Sequence, residues 1–358
     1  MNNKQQDLWS TLQKQNLVSG EYLSSDKLAS PWFIKLLLAF SGWFASLFIF
    51  GFLLLSMHEL MENSTACLIL GWSFIAVAYY LLKNNPHEFL EHLMLATSLA
   101  GQALVAWALF ENELLSDNLH TWLVILLMQT VLSLFMPHYV HRVCCAFFAS
   151  IALVISFHYL HISVSSSACL LFLVIILVLN EWRAVKWQPA FEAISYGIIL
   201  LLIPLKASYA LGYNLSYWLN NAKPTQFDTH YWGELLLIVA MLYLLITLLQ
   251  RSQQPFSHIN RLAIIATTLC FCLLSLQASG LTVGLAILIL GFSNSNKVLQ
   301  GLGITALLYY ISSYYYLLAL TLLEKSGVLL GVGLFVLIIR YALLKFANPV
   351  QQGANDAV

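Results

Sequence analysis

The sequence predicts an all-α fold, a polytopic transmembrane helical bundle of about twelve spans with both termini in the cytoplasm. Three observations predict it. The 358 residues are 60% hydrophobic and only 9% charged, long apolar segments recur along the chain, and the basic residues are shared unevenly among the connections between these segments. A water-soluble chain of this length carries far more charge on its surface. The protein is therefore expected in a membrane.

Each apolar segment is close to the length of a membrane helix, because about 20 residues cross a hydrocarbon core of roughly 30 Å. Twelve segments qualify, and the tenth is the shortest. Their approximate bounds are 31–56, 65–82, 89–110, 120–136, 139–160, 164–180, 190–206, 230–250, 259–277, 280–293, 298–323 and 326–346.

Twelve spans divide the 16 basic residues sharply between the two sides of the membrane. Lys and Arg are retained in the cytoplasm, so the richer side is the inner one and both termini are expected there. Removing one span would reverse every later connection and destroy this asymmetry. The outer side has only Lys206, Lys223 and Lys325, whereas the inner side has Lys4, Lys14, Lys27, Lys35, Lys83, Arg142, Arg183, Lys186, Arg251, Arg261, Lys297, Arg340 and Lys345.

The spans divide the chain into five parts. These are a cytoplasmic segment with a short amphipathic helix (1–30), helices one to seven (31–206), a periplasmic aromatic loop (207–229), helices eight to twelve (230–346) and a cytoplasmic tail (347–358). The loop carries Tyr209, Tyr213 and Tyr217 at i, i+4 and i+8, which predicts an aromatic stripe at the outer interface. The stripe is either an interfacial anchor or a platform for a sugar or lipid headgroup.

Composition and motifs exclude several classes of function. Acidic and basic residues balance at 16 each, so no basic excess attracts nucleic acid. The six cysteines lie in apolar segments without a zinc-like spacing. No sequence typical of a serine hydrolase, a zinc protease or a phosphate-binding loop occurs. We therefore expect no catalytic residue, no metal and no cofactor.

Ionisable residues inside the spans are the strongest candidates for a functional role. Placing a charge in hydrocarbon costs about 2.5 to 3.5 kcal/mol on insertion scales, so such residues face the bundle interior. Glu192 lies one turn into helix seven and Glu234 one turn into helix eight, while Lys206 ends helix seven. Lys206 and Glu234 either form a pair at the outer mouth or reach the headgroups independently. Gln102 is a further polar residue, in the middle of helix three.

A run of tyrosines, "YYISSYYYLL", occupies the eleventh span. Tyr309, Ser312, Ser313 and Tyr316 follow a spacing of i, i+3, i+4 and i+7, so their hydroxyls are expected on one helix face in mid-membrane. Two interpretations remain open. The face is either a seam of hydrogen bonds between helices or a polar wall of a substrate cavity.

The charged pair Glu324–Lys325 follows the same span. Only fourteen residues separate Lys325 from Arg340, about 21 Å of helix, so these two cations must extend to opposite membrane faces. The pair is therefore expected to form a tight outer hairpin whose charges offset each other.

The C-terminal run "GFSNSNKVLQGLGITALLYYISSYYYLLALTLLEKSGVLLGVG", residues 291–333, resembles a bacterial membrane family known as domain of unknown function 4401. The segments "LWSTLQKQNLVSG" and "SPWFIKLLLAFSGWFASLFIFGF" near the N-terminus are also similar to it, so the resemblance covers both ends. The matching C-terminal residues are Gly291–Phe292, Leu299, Gly301–Gly303, Tyr314–Tyr315–Tyr316–Leu317, Thr321–Leu322–Leu323 and Lys325–Ser326.

The resemblance implies a multi-pass protein of the bacterial inner membrane, and it implies a partner, a neighbouring membrane protein that carries a GDYXXLXY motif. It implies no activity. The leading hypothesis is a non-enzymatic subunit of a heteromeric complex within the lipid bilayer. The alternatives are a secondary transporter, in which Glu192 and Glu234 flank a path, and a lipid- or glycan-modifying enzyme with a polar cavity open to one leaflet.

Overall fold

A computed structural model describes residues 11–15, 63–84, 88–111, 118–183, 185–210, 228–251, 258–276 and 278–317, with isolated positions between 37 and 51 and between 323 and 341. From residue 63 to 317 the described chain forms ten α-helices and no strand. The helices are α1 (Ser64–Asn84), α2 (Glu88–Glu111), α3 (Asn118–Phe135), α4 (Tyr139–Tyr159), α5 (Ser166–Asn180), α6 (Gln188–Ala210), α7 (Asp228–Arg251), α8 (His258–Leu274), α9 (Leu281–Ser293) and α10 (Lys297–Leu317).

Short 3-10 helices flank α5 at Ser163–Ser165, Glu181–Arg183 and Val185–Trp187. Other breaks follow the local sequence. Pro137 follows the end of α3, because a proline disfavours helical backbone in the residue before it. Asn63 begins α1, with its side-chain oxygen accepting from the N–H groups of Thr65 and Ala66. Asn296 caps α10 in the same way.

The membrane-helix prediction is confirmed for much of the chain. Seven helices, α1 to α7, are each long and apolar enough to cross a membrane when α5 is counted with the 3-10 turn before it, whereas α8 and α9 contain shorter apolar stretches. The bounds of α1 to α10 agree with the second to eleventh predicted spans within a few residues, except that α10 is described only to Leu317. The first and twelfth spans fall largely outside the described residues, so the twelve-span topology stays a prediction.

Helix α6 continues to Ala210, four residues past the end of the seventh predicted span at 206. The periplasmic position of the loop at 207–229 stays a prediction. Tyr213 and Tyr217 lie outside the described residues, and the aromatic stripe remains untested there.

The helices pack in pairs around three apolar clusters. Helix α1 packs on α2, α3 on α4, and α9 on α10, while α6 joins both halves by packing on α4 and α5. The largest cluster is the core that lies mainly among α5, α6, α7 and α9 and includes Leu171, Leu202, Leu237 and Ile287, all fully buried. This core forms the apolar centre between the two ends of the bundle.

Glycines allow the closest helix contacts. A Cβ built at Gly197 in α6 would lie 2.5 Å from the Val143 carbonyl oxygen in α4, and one at Gly284 in α9 would lie 2.9 Å from Leu307 of α10. Close approach of this kind is typical of membrane helices. By contrast, Gly327 and Gly331 have no described neighbour within 4 Å of a built Cβ.

Candidate functional site

Lys206 on α6 and Glu234 on α7 form a buried ion pair. The Lys206 Nζ atom lies 2.6 Å from Glu234 Oε1, with Lys206 4% exposed and Glu234 0%. The sequence left pairing and independent solvation as alternatives, and the structure shows pairing. Removing two charges from water costs desolvation free energy, and close pairing together with further hydrogen bonds offsets this cost.

The turn between α8 and α9 supplies those further hydrogen bonds. Ser275 Oγ donates to Glu234 Oε2 at 2.6 Å, and Ser279 Oγ donates to Oε1 at 3.1 Å. Both serines are buried. The Glu234 carboxylate is thus held by one ammonium group and two hydroxyls. Sequence analysis missed these serines because the segment "SLQASG" is simply the polar break between two short spans.

This turn is buried because the helices on either side of it are short. The 13 residues of α9 rise only about 20 Å, less than the roughly 30 Å of a hydrocarbon core. The turn residues Ser275, Ala278, Ser279 and Gly280 are all buried. Helix α6 continues four residues beyond Lys206, so the ion pair and the turn lie inside the bundle rather than at the ends of its longer helices.

Two tyrosines border the site. The Tyr209 ring centroid lies 5.5 Å from Lys206 Nζ, within the range of a cation–π contact. Tyr310, 1% exposed, donates its hydroxyl to the Ile203 carbonyl oxygen at 3.0 Å. The Tyr310 ring also covers Gly280, whose φ of 97° lies in the left-handed region. Helices α6 and α10 therefore meet at the turn that holds Glu234.

A second polar site, a recess near the start of α6, contains Glu192. Gln188 Nε2 donates to Glu181 Oε1 at 2.8 Å and lies 3.4 Å from Glu192 Oε2. Asn294 Nδ2, from the α9–α10 turn, lies 3.4 Å from Glu181 Oε2. Glu181, Glu192, Tyr196 and Asn294 line this recess, which is partly open to the outside. The structure therefore places Glu192 in a polar site, together with Glu181, which sequence analysis did not single out.

A third polar group lies among α2, α3 and α4. His141 Nε2 is 2.8 Å from Ser98 Oγ and 3.2 Å from Gln102 Nε2, and His141 Nδ1 is 3.3 Å from Cys145 Sγ. Gln129 Nε2 donates to Gln102 Oε1 at 3.0 Å. All five residues are buried. Gln102 was recognised from sequence as a mid-span polar residue, but its partners come from other helices and carry no common motif.

The predicted hydroxyl stripe on α10 is mostly exposed in the part of the chain that the structure describes. Tyr309 is 41% exposed, Tyr316 is 87% exposed and Ser312 is exposed, while Ser313 is half-buried. The buried tyrosine is Tyr310, on the neighbouring face. A helical spacing shows which residues share a face, and not which face packs on α9 and α6, so the role of this face stays a prediction.

The hairpin at Glu324–Lys325 stays a prediction. Leu323, Glu324, Ser326 and Gly327 are helical positions. Ser326 Oγ donates to the Leu323 carbonyl oxygen at 2.7 Å. Glu324 itself is exposed, and Lys325 lies outside the described residues.

No cluster of three or more metal-ligating His, Cys, Asp or Glu residues occurs in the part of the chain that the structure describes. The fold and the buried charges define a polytopic helical membrane protein. The chain belongs to the family described as Domain of unknown function (DUF4401), whose model matches residues 31–346. No curated protein and no solved structure matches the chain.

Proposed function

We propose that this protein is a secondary transporter of a small solute in the bacterial inner membrane, with both termini in the cytoplasm. The observation that carries the proposal is the buried Lys206–Glu234 ion pair. A protein that only holds helices together gains little from it, because an apolar pair of similar volume is often at least as stable as a buried ion pair. Ionisable residues inside membrane bundles commonly mark substrate or ion pathways.

The positions of the polar sites support the proposal. Glu192 and Lys206 both lie on α6, fourteen residues apart, which corresponds to about 21 Å along the helix axis. Between them, Ile199 and Leu202 pack in the apolar core with residues of α7 and α9. A carrier that opens to one side at a time needs polar groups that are separated by a closed apolar barrier. The described bundle has this arrangement.

Solute counterflow tests this function. The purified protein is first screened for solutes that raise its melting temperature, and the hits are assayed for counterflow in proteoliposomes. We expect counterflow by the native protein and its loss in Glu234→Gln and Lys206→Met. The matched control is Glu111→Gln, a change at an exposed carboxylate at the end of α2, which retains counterflow. Full activity in both ion-pair variants, or counterflow of no solute, contradicts the proposal.

A second candidate function, a subunit of a membrane complex, is favoured by the exposed face of α10. Tyr309, Ser312 and Tyr316 present hydroxyls at the surface of the described bundle. Hydroxyls within a membrane are better satisfied against another helix than against lipid. The proposed partner is the neighbouring GDYXXLXY-motif membrane protein, docking on this face.

Photo-crosslinking tests the partner proposal. A photoreactive amino acid replaces Tyr316 in one variant and Leu127, a 66% exposed residue of α3, in the control variant. A partner protein captured at position 316 and not at 127 supports docking on α10. A crosslink within the chain itself shows instead that the protein's own C-terminal region covers the stripe, and it contradicts the partner proposal.

A further inference from the structure

The groups that surround the Glu234 carboxylate are hydrogen-bond donors. The Lys206 ammonium and the hydroxyls of Ser275 and Ser279 all point to the same carboxylate. The cation and the two hydroxyl donors together form a group that can bind an anion. In this conformation the anion that they bind is the Glu234 carboxylate.

The start of α9 adds further donors beside Ser279. Residues 281–284 are buried, and Gly280 at the N-cap offers no side chain to the free N–H groups of the first turn. Thr282 is 0% exposed, and its hydroxyl interacts with the Cys272 thiol of α8. The Leu281 N–H donates to the Ala278 carbonyl oxygen at 3.5 Å. The start of α9 thus places hydroxyl and backbone N–H groups beside Ser279, next to the Lys206–Glu234 pair.

From this geometry we infer that the transported solute is a small monovalent anion, which binds at Lys206 and the start of α9 while Glu234 takes up one proton. The inference rests on the proposed transport function. In a low-dielectric site, charge balance requires that binding of the anion be coupled to protonation of Glu234. If Glu234 accepts a proton, the Lys206 cation loses its counter-ion, and an entering anion restores neutrality. If the anion enters without the proton, two anions compete for one cation.

The proton balance is simple. One proton from solution bonds to a carboxylate oxygen of Glu234, the Lys206 ammonium keeps its three protons, and the anion replaces the carboxylate as the partner of Lys206. The described titratable groups that face the pair are Tyr209 from α6, Cys272 from α8 and Tyr310 from α10. None of these groups supplies a second positive charge, so the stoichiometry is one proton for each anion.

Calorimetry on the full-length protein in detergent tests this coupling. Sodium chloride and sodium lactate are the probes, one a halide and one a carboxylate, each titrated in two buffers of different ionisation enthalpy. We expect uptake of about one proton per bound anion and a roughly tenfold weaker affinity for each unit rise in pH. Whichever probe binds identifies the anion class.

The variants separate coupling from folding. Glu234→Gln is expected to bind the probe without proton uptake and without pH dependence, whereas Lys206→Met loses binding. Glu111→Gln, at an exposed carboxylate at the end of α2, keeps both binding and proton uptake. Gel filtration shows which variants are folded. If Lys206→Met is not folded, the Glu234→Gln variant alone shows whether Glu234 takes up the proton. Binding of neither probe, or unchanged proton uptake in Glu234→Gln, overturns the inference. If the anion inference fails but the protein shows counterflow of another solute, the proposed transport function still stands.

Discussion

The ring of Tyr310 packs directly on Gly280, so that a Cβ built at this glycine would lie 2.7 Å from Tyr310 Cε1. The same tyrosine donates its hydroxyl to the Ile203 carbonyl oxygen of α6. Tyr310 therefore links α10 both to the turn that holds Glu234 and to the helix that carries Lys206. The ion pair depends on this packing for its position.

Gly280→Ala is expected to destabilise the protein by about 2 to 4 kcal/mol, from the left-handed backbone and the clash together. The measurement is thermal unfolding of the purified protein in detergent. Gly301→Ala is the matched control, because no described atom lies within 4 Å of a Cβ built there. That change lies inside an α-helix and is expected to be neutral or stabilising by about 0.5 to 1 kcal/mol. Equal melting temperatures for the two variants would contradict the packing described here.

Breaking the ion pair from one side is expected to cost more than removing both charges. Lys206→Met or Glu234→Gln alone leaves a buried charge without its partner, at an expense of about 3 to 5 kcal/mol. The double variant removes both charges and recovers part of this loss. A double-mutant cycle of unfolding free energies measures the coupling. Strictly additive losses would show that the two side chains do not interact.

The polar network of α2, α3 and α4 predicts an unequal effect of its two glutamines. Gln102→Leu removes contacts to His141 and Gln129 together and is expected to destabilise by about 1 to 3 kcal/mol. Gln129→Leu is expected to cost less, because its buried Oε1 has no hydrogen-bond partner among the described residues. Thermal unfolding of the two variants decides the order. A larger loss in Gln129→Leu would contradict it.

His138, just before α4, predicts a dependence of stability on pH. Burial lowers the pKa of His138 below its ordinary 6.5; the Glu91 carboxylate, 3.7 Å away, raises the pKa, and His92 lowers it. The unfolded chain therefore binds a proton more readily than the folded one, so stability is lost as the pH falls through about 6.5. His138→Gln is expected to reduce this loss of melting temperature on acidification.

The matched control for His138 is His158→Gln, the same substitution at the opposite end of α4, with the melting temperature measured over the same pH range. The same profile in His138→Gln as in the native protein would exclude His138 as the source of the effect.

The positions of the helices were predictable from sequence, because membrane helices depend mainly on local composition. Long apolar runs predicted the bounds of α1 to α7 within a few residues. The sequence also showed that Lys206 and Glu234 lie in apolar spans, where burying a charge costs free energy. The serines that hold Glu234 were not predictable in the same way. Ser275 and Ser279 become important only because α8 and α9 are too short to carry their turn to the membrane surface.

The sequence by itself determined that this is a helical membrane protein with few, costly charges in its spans. Only the tertiary structure decided which helix faces meet. It buries Tyr310 and leaves Tyr309 and Tyr316 exposed, although all three belong to one tyrosine run. It also brings Lys206 and Glu234 to 2.6 Å across 28 residues of chain. The physical reason is that periodicity determines which residues share a face, whereas the choice of partner for that face depends on packing between helices distant in sequence.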